Sequence, residues 1–168
     1  VFLRVTLVLS AFNLILSAVM IVGIPAIVAQ VLDMSDAYLG LTQAVMGFGG
    51  LLGGLLAGVL GPRLKPRHGS LCLLACAGMA GVMGLAVLPG VSAAVSYWLL
   101  SVMAMLAMTA AMLFTVVMLT LVQAQVPGHL LGKVIACIQA VAICASPLGQ
   151  AGYGLLFEHL PPCAVLLG

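Results

Sequence analysis

The chain has 168 residues, of which 65% are hydrophobic and only 5% are Asp, Glu, Lys or Arg, and its formal net charge is +2. Globular domains carry roughly 25% charged residues, and a water-exposed surface with so little charge would aggregate. The composition therefore excludes a soluble domain and predicts a protein whose main partner is the lipid bilayer. The few cations form no basic patch with interleaved aromatic residues, so the chain shows no sign of nucleic-acid binding.

Long uncharged runs divide the chain into predicted membrane-spanning helices. About 20 residues of helix cross the hydrocarbon layer, and Pro89 and Gly90 divide the longest run, His68–Gly132, into two crossings. An open β-sheet is not expected, because the backbone N–H and C=O groups at its edges would have no hydrogen-bond partners in lipid. We predict an all-α membrane protein with a single transmembrane domain over residues 1–168. Its helices are five complete spans and a truncated sixth, at about 5–31, 38–61, 69–89, 95–123, 130–157 and 161–168.

The charged residues alternate between the predicted loops. All the bases fall in or beside loops on one side of the membrane: Arg4, Arg63, Lys65, Arg67 and Lys133. All the acids fall in loops on the other side: Asp33, Asp36 and Glu158. The positive-inside rule produces this alternation. It predicts a multi-pass protein of the inner (plasma) membrane, with the N-terminus of this segment in the cytoplasm.

In chain order, the first span carries a weakly polar face. Thr6, Ser10, Asn13 and Ser17 follow spacings of four, three and four, so they share one side of a helix. An Asn side chain that faces lipid is costly, so this side is expected to face other helices or a water-filled path. Pro25 lies within the same span and is expected to bend it.

The second span is rich in small residues at four-residue spacing. Gly50, Gly54 and Gly58 form one row, and a second row runs beside it through Gly49, Gly53, Ala57 and Gly61. The third span offers a similar row of small side chains, namely Cys72, Cys76, Ala80 and Gly84. Small residues let two helix backbones approach closely in lipid. We predict tight packing between the second and third spans, with Gly50, Gly54 and Gly58 as packing residues.

Aromatic residues mark the start of two spans. Tyr38 opens the second span, and Tyr97 and Trp98 open the fourth. Amphipathic rings concentrate at the membrane interface. We predict that these three residues are interfacial anchors.

The fourth and fifth spans carry further polar stripes. One broad side of the fourth contains Ser101, Met105, Met108, Thr109 and Met112. In the fifth, four polar residues share a side with Ile143 and Phe157: Gln139, Ser146, Gln150 and Tyr153. Pro147 is expected to bend the fifth span, and Pro147 and Gly149 are predicted packing residues.

Three stripes that lack full charges but include adaptable Met side chains fit a cavity for an uncharged or amphipathic solute better than a site for an ion. The alternative is that the stripes form hydrogen bonds between helices. The residues predicted to line a substrate path are Asn13, Ser17, Met108, Thr109, Met112, Gln139, Ser146 and Gln150.

No catalytic or cofactor motif is present. His68, His129 and His159 all fall in predicted loops, without a carboxylate or cysteine partner at a motif spacing. The five cysteines lie in or beside spans and match neither a zinc site nor a disulfide framework. We predict that the chain is not an enzyme and binds no metal or cofactor.

The loop from Gly58 to Arg67 resembles the signature loop of the major facilitator superfamily, Gly-x-Leu-Ala-Asp-Arg-x-Gly-Arg-Lys. Gly58, Leu60, Arg63 and Arg67 match it, whereas Pro62 replaces the Asp and Lys65 replaces a Gly. In that family the loop joins helices two and three, and a weaker form joins helices eight and nine. The missing Asp therefore suggests the C-terminal six-helix half of a twelve-helix carrier. The resemblance makes Gly58, Arg63, Lys65 and Arg67 a cytoplasmic gate loop.

Two further segments resemble the branch of this superfamily that contains macrolide and siderophore exporters. They are the link Val126–Val134 and the segment Ser146–Gly149, which reads Ser-Pro-Leu-Gly. The resemblance implies a secondary-active transporter that exports small uncharged or amphipathic molecules. Its two halves would rock around a central site, so the partners would be a missing N-terminal six-helix half and a small-molecule substrate.

Two other functions remain open from the residues alone. One is a small carrier or channel that assembles from copies of this chain. The other is a non-transporting membrane scaffold or assembly protein, in which the polar stripes are buried helix contacts.

The predicted topology is tested by reporter fusions at Asp33 and at Lys65. We expect a periplasmic reporter to be active only at Asp33 and a cytoplasmic reporter only at Lys65, because bases are retained in the cytosol. The same sidedness at both positions would contradict the predicted threading.

Overall fold

A computed structural model describes residues 2–61, 66–86 and 92–159. Within these ranges it describes the backbone but not the side chains of residues 2–6, 17, 18, 30, 66, 67, 149 and 153–159. These residues form five helices joined by short connections, without a β-strand among them. The helices are α1 (residues 2–31), α2 (Asp36–Leu60), α3 (Pro66–Ala86), α4 (Ala93–Gln125) and α5 (Gly128–His159). Each contains a stretch long and apolar enough to cross a membrane.

The predicted all-α class is thus confirmed for the described residues, as are five helices that are long and apolar enough to span a membrane. The predicted sixth segment, 161–168, lies outside the described residues.

Helix α1 changes its winding around Pro25. It is α-helical over Phe2–Ser17 and Ile24–Ala26, and π-helical over Ala18–Gly23 and Ile27–Val31. Proline has no N–H, and its ring crowds the carbonyl four residues earlier. The wider π turns, which bond five residues apart, accommodate this defect without ending the helix. The sequence predicts a bend at Pro25. The structure shows a change of winding there, with one π-helical segment before Pro25 and one after it.

The turn between α1 and α2 is tight. Asp33 adopts a positive φ of 48°, a conformation that Asp tolerates better than most residues. Ser35 is the N-cap of α2 in an extended conformation, and its carbonyl accepts a hydrogen bond from the Tyr38 N–H at 2.9 Å. Asp36 lies in the first turn of α2, where its negative charge interacts favourably with the positive end of the helix dipole.

Helix α4 is the central element of the bundle. Helices α2 and α3 both pack along it, while α5 packs mainly against α1. The rings of Phe12 and Phe114 join α1 to α4, with centroids 4.4 Å apart. One apolar cluster forms around Ile24, Tyr97 and Leu100, and it includes side chains of α1, α2, α3 and α4. A second cluster includes Phe12, Phe114 and residues of α3 and α5.

The small residues of α2 pack against a different partner from the predicted one. Among the described residues α2 makes few contacts with α3, and its buried row is Gly49, Gly53 and Ala57, which faces α4. A Cβ at Gly53 would lie 2.7 Å from the Met112 Cβ and 2.8 Å from the Thr109 carbonyl oxygen. The close approach of α2 and α4 therefore requires glycine at this position.

The row that was predicted to pack, Gly50, Gly54 and Gly58, is more exposed. A Cβ at Gly54 or Gly58 would meet nothing within 4 Å, and one at Gly50 would only reach the flexible end of Met108 at 4.0 Å. Among the described residues, α2 therefore packs through Gly49, Gly53 and Ala57 and not through the predicted row, and its partner is α4 and not α3. The third span does have a small-residue contact, but with α4: the Cys76 thiol donates to the Ala107 carbonyl at 3.7 Å.

Substitution of adjacent glycines tests this packing. We expect Gly53→Ala to destabilise the protein by about 1–3 kcal/mol, because the methyl group overpacks a contact with backbone atoms. Gly54→Ala is the matched control, and we expect it to be neutral or stabilising by up to about 1 kcal/mol, since alanine favours helix and the site is open. Thermal unfolding in detergent measures both. Equal effects would contradict the assignment of the packing row.

Candidate functional site: the polar faces of the helices

A cluster of buried hydroxyl groups joins the N-terminal parts of α2 and α4. The Thr42 Oγ1 lies 3.0 Å from the Tyr38 carbonyl oxygen, 3.3 Å from the Tyr97 hydroxyl and 3.4 Å from the Ser101 Oγ. The Tyr97 hydroxyl also donates to the Tyr38 carbonyl at 3.0 Å. On the other side of α4, the Ser96 hydroxyl donates to the Ala86 carbonyl of α3 at 2.7 Å. Hydroxyl groups thus hold α4 to both of its neighbours at this end.

Tyr97 differs from its expected role. It was predicted to be an interfacial anchor, but its side chain is only 1% exposed, because its hydroxyl group and ring are held in the interface of α2 and α4. Trp98 and Tyr38 are 56% and 43% exposed, so their side chains lie at the surface of the helix bundle. Tyr97 and Trp98, although adjacent in α4, therefore lie in different surroundings.

The predicted path residues of α4 lie at its contact with α2. The Thr109 Oγ1 is 2.9 Å from the Gly49 carbonyl oxygen and 3.0 Å from the Met105 carbonyl oxygen. Met108 is half-buried and packs against the apolar cluster around Leu100. Met112 is exposed, although its Cβ faces the Gly53 position. Within this chain, the Thr109 hydroxyl therefore serves contact between helices, as the alternative interpretation of the stripes expected.

The polar face of α1 is only partly satisfied. Asn13 is half-buried, and its side-chain amide donates to the Leu9 carbonyl of the preceding turn at 3.1 Å. The Ser10 hydroxyl is buried and has no hydrogen-bond partner among the described residues. The side chains of Thr6 and Ser17 lie outside the described part of the chain.

Helix α5 carries the least covered polar stripe. Gln139 is exposed, whereas Ser146 and Gln150 are half-buried. Only 11% of the most apolar 18-residue stretch of α5 is buried, which is the smallest share among the five spans. Pro147 is exposed and the helix continues through it, while the surroundings of Gly149 are not described. Within the described part of the chain, Gln139 is thus the polar residue of this face that no other helix covers.

The predicted gate loop is described only at its ends. Gly58 is an exposed residue of the last turns of α2. Arg63 and Lys65 lie outside the described residues, and Arg67 lies in the first turn of α3 with its side chain outside them.

An apolar cavity of about 340 Å³ lies between α1, α3 and α4. Its walls are aliphatic, aromatic and sulfur-containing side chains, and it includes none of the predicted path residues. Sequence reasoning missed it, because its residues are ordinary apolar ones that come from three separate helices. Among the described residues, no group of three or more His, Cys, Asp or Glu is placed to hold a metal ion.

Comparison with known proteins found no matching family model, no matching curated protein and no matching solved structure.

The hydroxyl cluster is tested with a pair of tyrosine variants. Tyr97→Phe removes a buried donor, so we expect a loss of about 1 kcal/mol of stability. Tyr38→Phe is the control: the cluster uses only the Tyr38 carbonyl, so we expect a change within about 0.5 kcal/mol. Unfolding of both variants in detergent gives the comparison. A loss of the same size from Tyr38→Phe would show that the cluster is not what joins α2 to α4.

Proposed function

We propose that this chain is one half of a secondary-active membrane transporter that exports small uncharged or amphipathic molecules by alternating access. Five apolar helices support a membrane location. The alternation of bases and acids between loops supports a threading with the bases in the cytosol. The resemblance of the loop from Gly58 to Arg67 to the major facilitator signature supports a carrier of that family, and the Val126–Val134 and Ser146–Gly149 segments support its exporter branch.

The exposed amide of Gln139 is the observation that carries this proposal. Gln139 is the twelfth residue of the apolar stretch Gly128–Gly152, so it lies near the middle of a membrane-spanning segment. A carboxamide is costly when it faces hydrocarbon, so another protein surface or a water-filled path must cover it. Gln150 lies on the same side of α5, and α1, which carries Asn13, packs along α5. A second six-helix half that closes over α1 and α5 would place these amides around a central path.

The chemistry of these helices favours a solute without a full charge. The ionisable residues in the described spans lie toward helix ends: Asp36 in α2, His68 in α3, and His129 and Lys133 in α5. Amide and hydroxyl groups donate and accept hydrogen bonds but cannot neutralise an ion. If protons drive the transport, the carboxylate that couples them belongs to the other half.

A non-transporting scaffold is the second candidate, and the interface of α2 and α4 favours it. There the hydroxyls of Thr109 and Ser101 form hydrogen bonds that join helices, as a purely structural stripe would. The exposed Gln139 separates the two candidates, because a scaffold would cover it with a protein partner and leave no water path.

Cysteine accessibility in the complete carrier tests the proposal. In a cysteine-free background, we expect Gln139→Cys and Gln150→Cys to react with a hydrophilic maleimide and to be protected by substrate. Leu148→Cys is the matched control, since Leu148 is 72% exposed two residues from Gln150 and carries an apolar side chain. We expect it to react only with a lipid-soluble maleimide.

Solute flux into vesicles that contain the complete carrier is measured in parallel. Labelling of Gln139→Cys and Gln150→Cys by lipid-soluble reagents alone, together with absent flux, would exclude the carrier and favour the scaffold. Flux by vesicles that contain only copies of this chain would replace the half-carrier with a self-assembling one.

A further inference from the structure

Helix α1 has two parts with different neighbours. In its C-terminal part, Ile24, Ile27 and Val28 are fully buried in an apolar cluster that they share with α2, α3 and α4. Its N-terminal part, Phe2–Ser17, packs mainly along α5 and makes few contacts with α4. The C-terminal part of α1 is therefore built into the core of the bundle, whereas the N-terminal part is mainly a partner of α5.

The contacts among α2, α3 and α4 fix their arrangement. Hydrogen bonds from side chains to backbone carbonyls join these helices: Thr109 to Gly49, Tyr97 to Tyr38 and Ser96 to Ala86. Such a bond requires its donor and acceptor to stay within about 3.2 Å of each other, so sliding of one helix along another would break it. We call α2, α3, α4 and the C-terminal part of α1 the core unit.

The N-terminal part of α1 is held to the core unit by weaker constraints. Its contact with α4 through Phe12 and Phe114 is between rings, and the burial of apolar groups is non-directional. The Asn13 amide donates within its own helix, to the Leu9 carbonyl. The Ser10 hydroxyl is buried without a hydrogen-bond partner among the described residues, which costs free energy. A second arrangement that pairs or hydrates this hydroxyl would recover that free energy.

The winding of α1 changes where its two parts meet. The first π-helical segment is Ala18–Gly23, and Pro25 follows it without an N–H to donate to the Ile21 carbonyl. A π turn bonds residues five apart and so holds one residue more than an α turn. Displacement of such a turn along a helix rotates the residues that it passes by about 100°. This segment can therefore reorient the N-terminal part of α1 while the helix stays unbroken.

We propose that Ala18–Gly23 is a hinge, about which the N-terminal part of α1 moves together with α5 relative to the core unit. The bundle then has two arrangements: the one seen in the structure, and a second in which the Ser10 hydroxyl is paired or hydrated. Helix α5 follows because it packs along this part of α1 and makes few contacts with α4. The hinge needs neither a second half nor a solute, and it is measured as a distance, so it stands or fails separately from the transporter proposal.

Pulsed electron paramagnetic resonance of spin-labelled cysteine pairs tests the hinge. The full chain, with its native cysteines replaced, is reconstituted in lipid nanodiscs. Labels are placed at exposed leucines, one in each of four helices: Leu7 of α1, Leu55 of α2, Leu74 of α3 and Leu130 of α5.

We expect two distance populations between labels at Leu7→Cys and Leu55→Cys, because this pair joins the moving part of α1 to the core unit. The pair Leu7→Cys and Leu130→Cys should give one narrow population, since α1 and α5 move together. The pair Leu55→Cys and Leu74→Cys should also give one narrow population, since both labels lie in the core unit.

Two further variants change the hinge itself. Pro25→Ala restores an N–H that continues the α-helix, so we expect it to leave one population in the pair that spans the hinge. Pro147→Ala is the matched control and should leave both populations, because Pro147 also lies inside a helix but α5 is α-helical throughout. Ser10→Ala should raise the ratio of the arrangement seen in the structure to the second about fivefold or more, because it removes an unpaired hydroxyl from the first alone.

Several outcomes would overturn the proposal. One narrow population between Leu7→Cys and Leu55→Cys in the chain with its native prolines would exclude two arrangements, and equal effects of Pro25→Ala and Pro147→Ala would exclude the hinge. Two populations between Leu7→Cys and Leu130→Cys would exclude joint movement of α1 and α5. An unchanged ratio in the Ser10→Ala variant would exclude the unpaired hydroxyl as the group that biases the two arrangements. An unchanged distance between Leu55→Cys and Leu74→Cys shows that each variant remains folded.

Discussion

The contact between α2 and α4 is the packing constraint on which the bundle depends. In lipid, burial of apolar side chains gives little drive for helix association, so helices pair by close approach and by hydrogen bonds. Gly49 and Gly53 have no side chain to separate the two backbones, and a Cβ at Gly49 would clash with the Met105 carbonyl. The Gly49 carbonyl is therefore within reach of the Thr109 hydroxyl. With α4 held to α2 in this way, its other faces are left for α3 and α1.

The spans were predictable because each is a long uncharged run, and the length that crosses a bilayer is fixed by the bilayer itself. The partners of each span were less predictable. The two glycine rows of α2 have the same composition and spacing, and only a contact with residues more than fifty positions away distinguishes Gly53 from Gly54. Tyr97 and Trp98 illustrate the same limit: adjacent helical residues point about 100° apart, and the sequence does not show which one faces α2.

The polar stripes look alike in the sequence, but their side chains lie in different surroundings. The chemistry of each side chain explains which stripes predict a neighbouring surface. A threonine hydroxyl can donate to the carbonyl of the preceding turn, as Thr115 does to Ala111 and the exposed Thr120 does to Val116. Such a residue is satisfied even when it faces lipid. A carboxamide has two donors and an acceptor, so one bond within its own helix leaves it incomplete. Glutamine and asparagine in a span are therefore stronger indicators of a neighbouring surface than serine or threonine.

Helix α1 lies between the two candidate sites. Asn13 belongs to its polar face and Ile15 lines the apolar cavity, and two residues of helix separate these side chains by about 160° around the axis. The first π-helical segment begins at Ala18, between Ile15 and Met20, which both line the cavity. π-Helical turns are frequent at functional sites. A change of winding at this segment would rotate one part of α1 against the other, so it would alter the cavity and the polar face together.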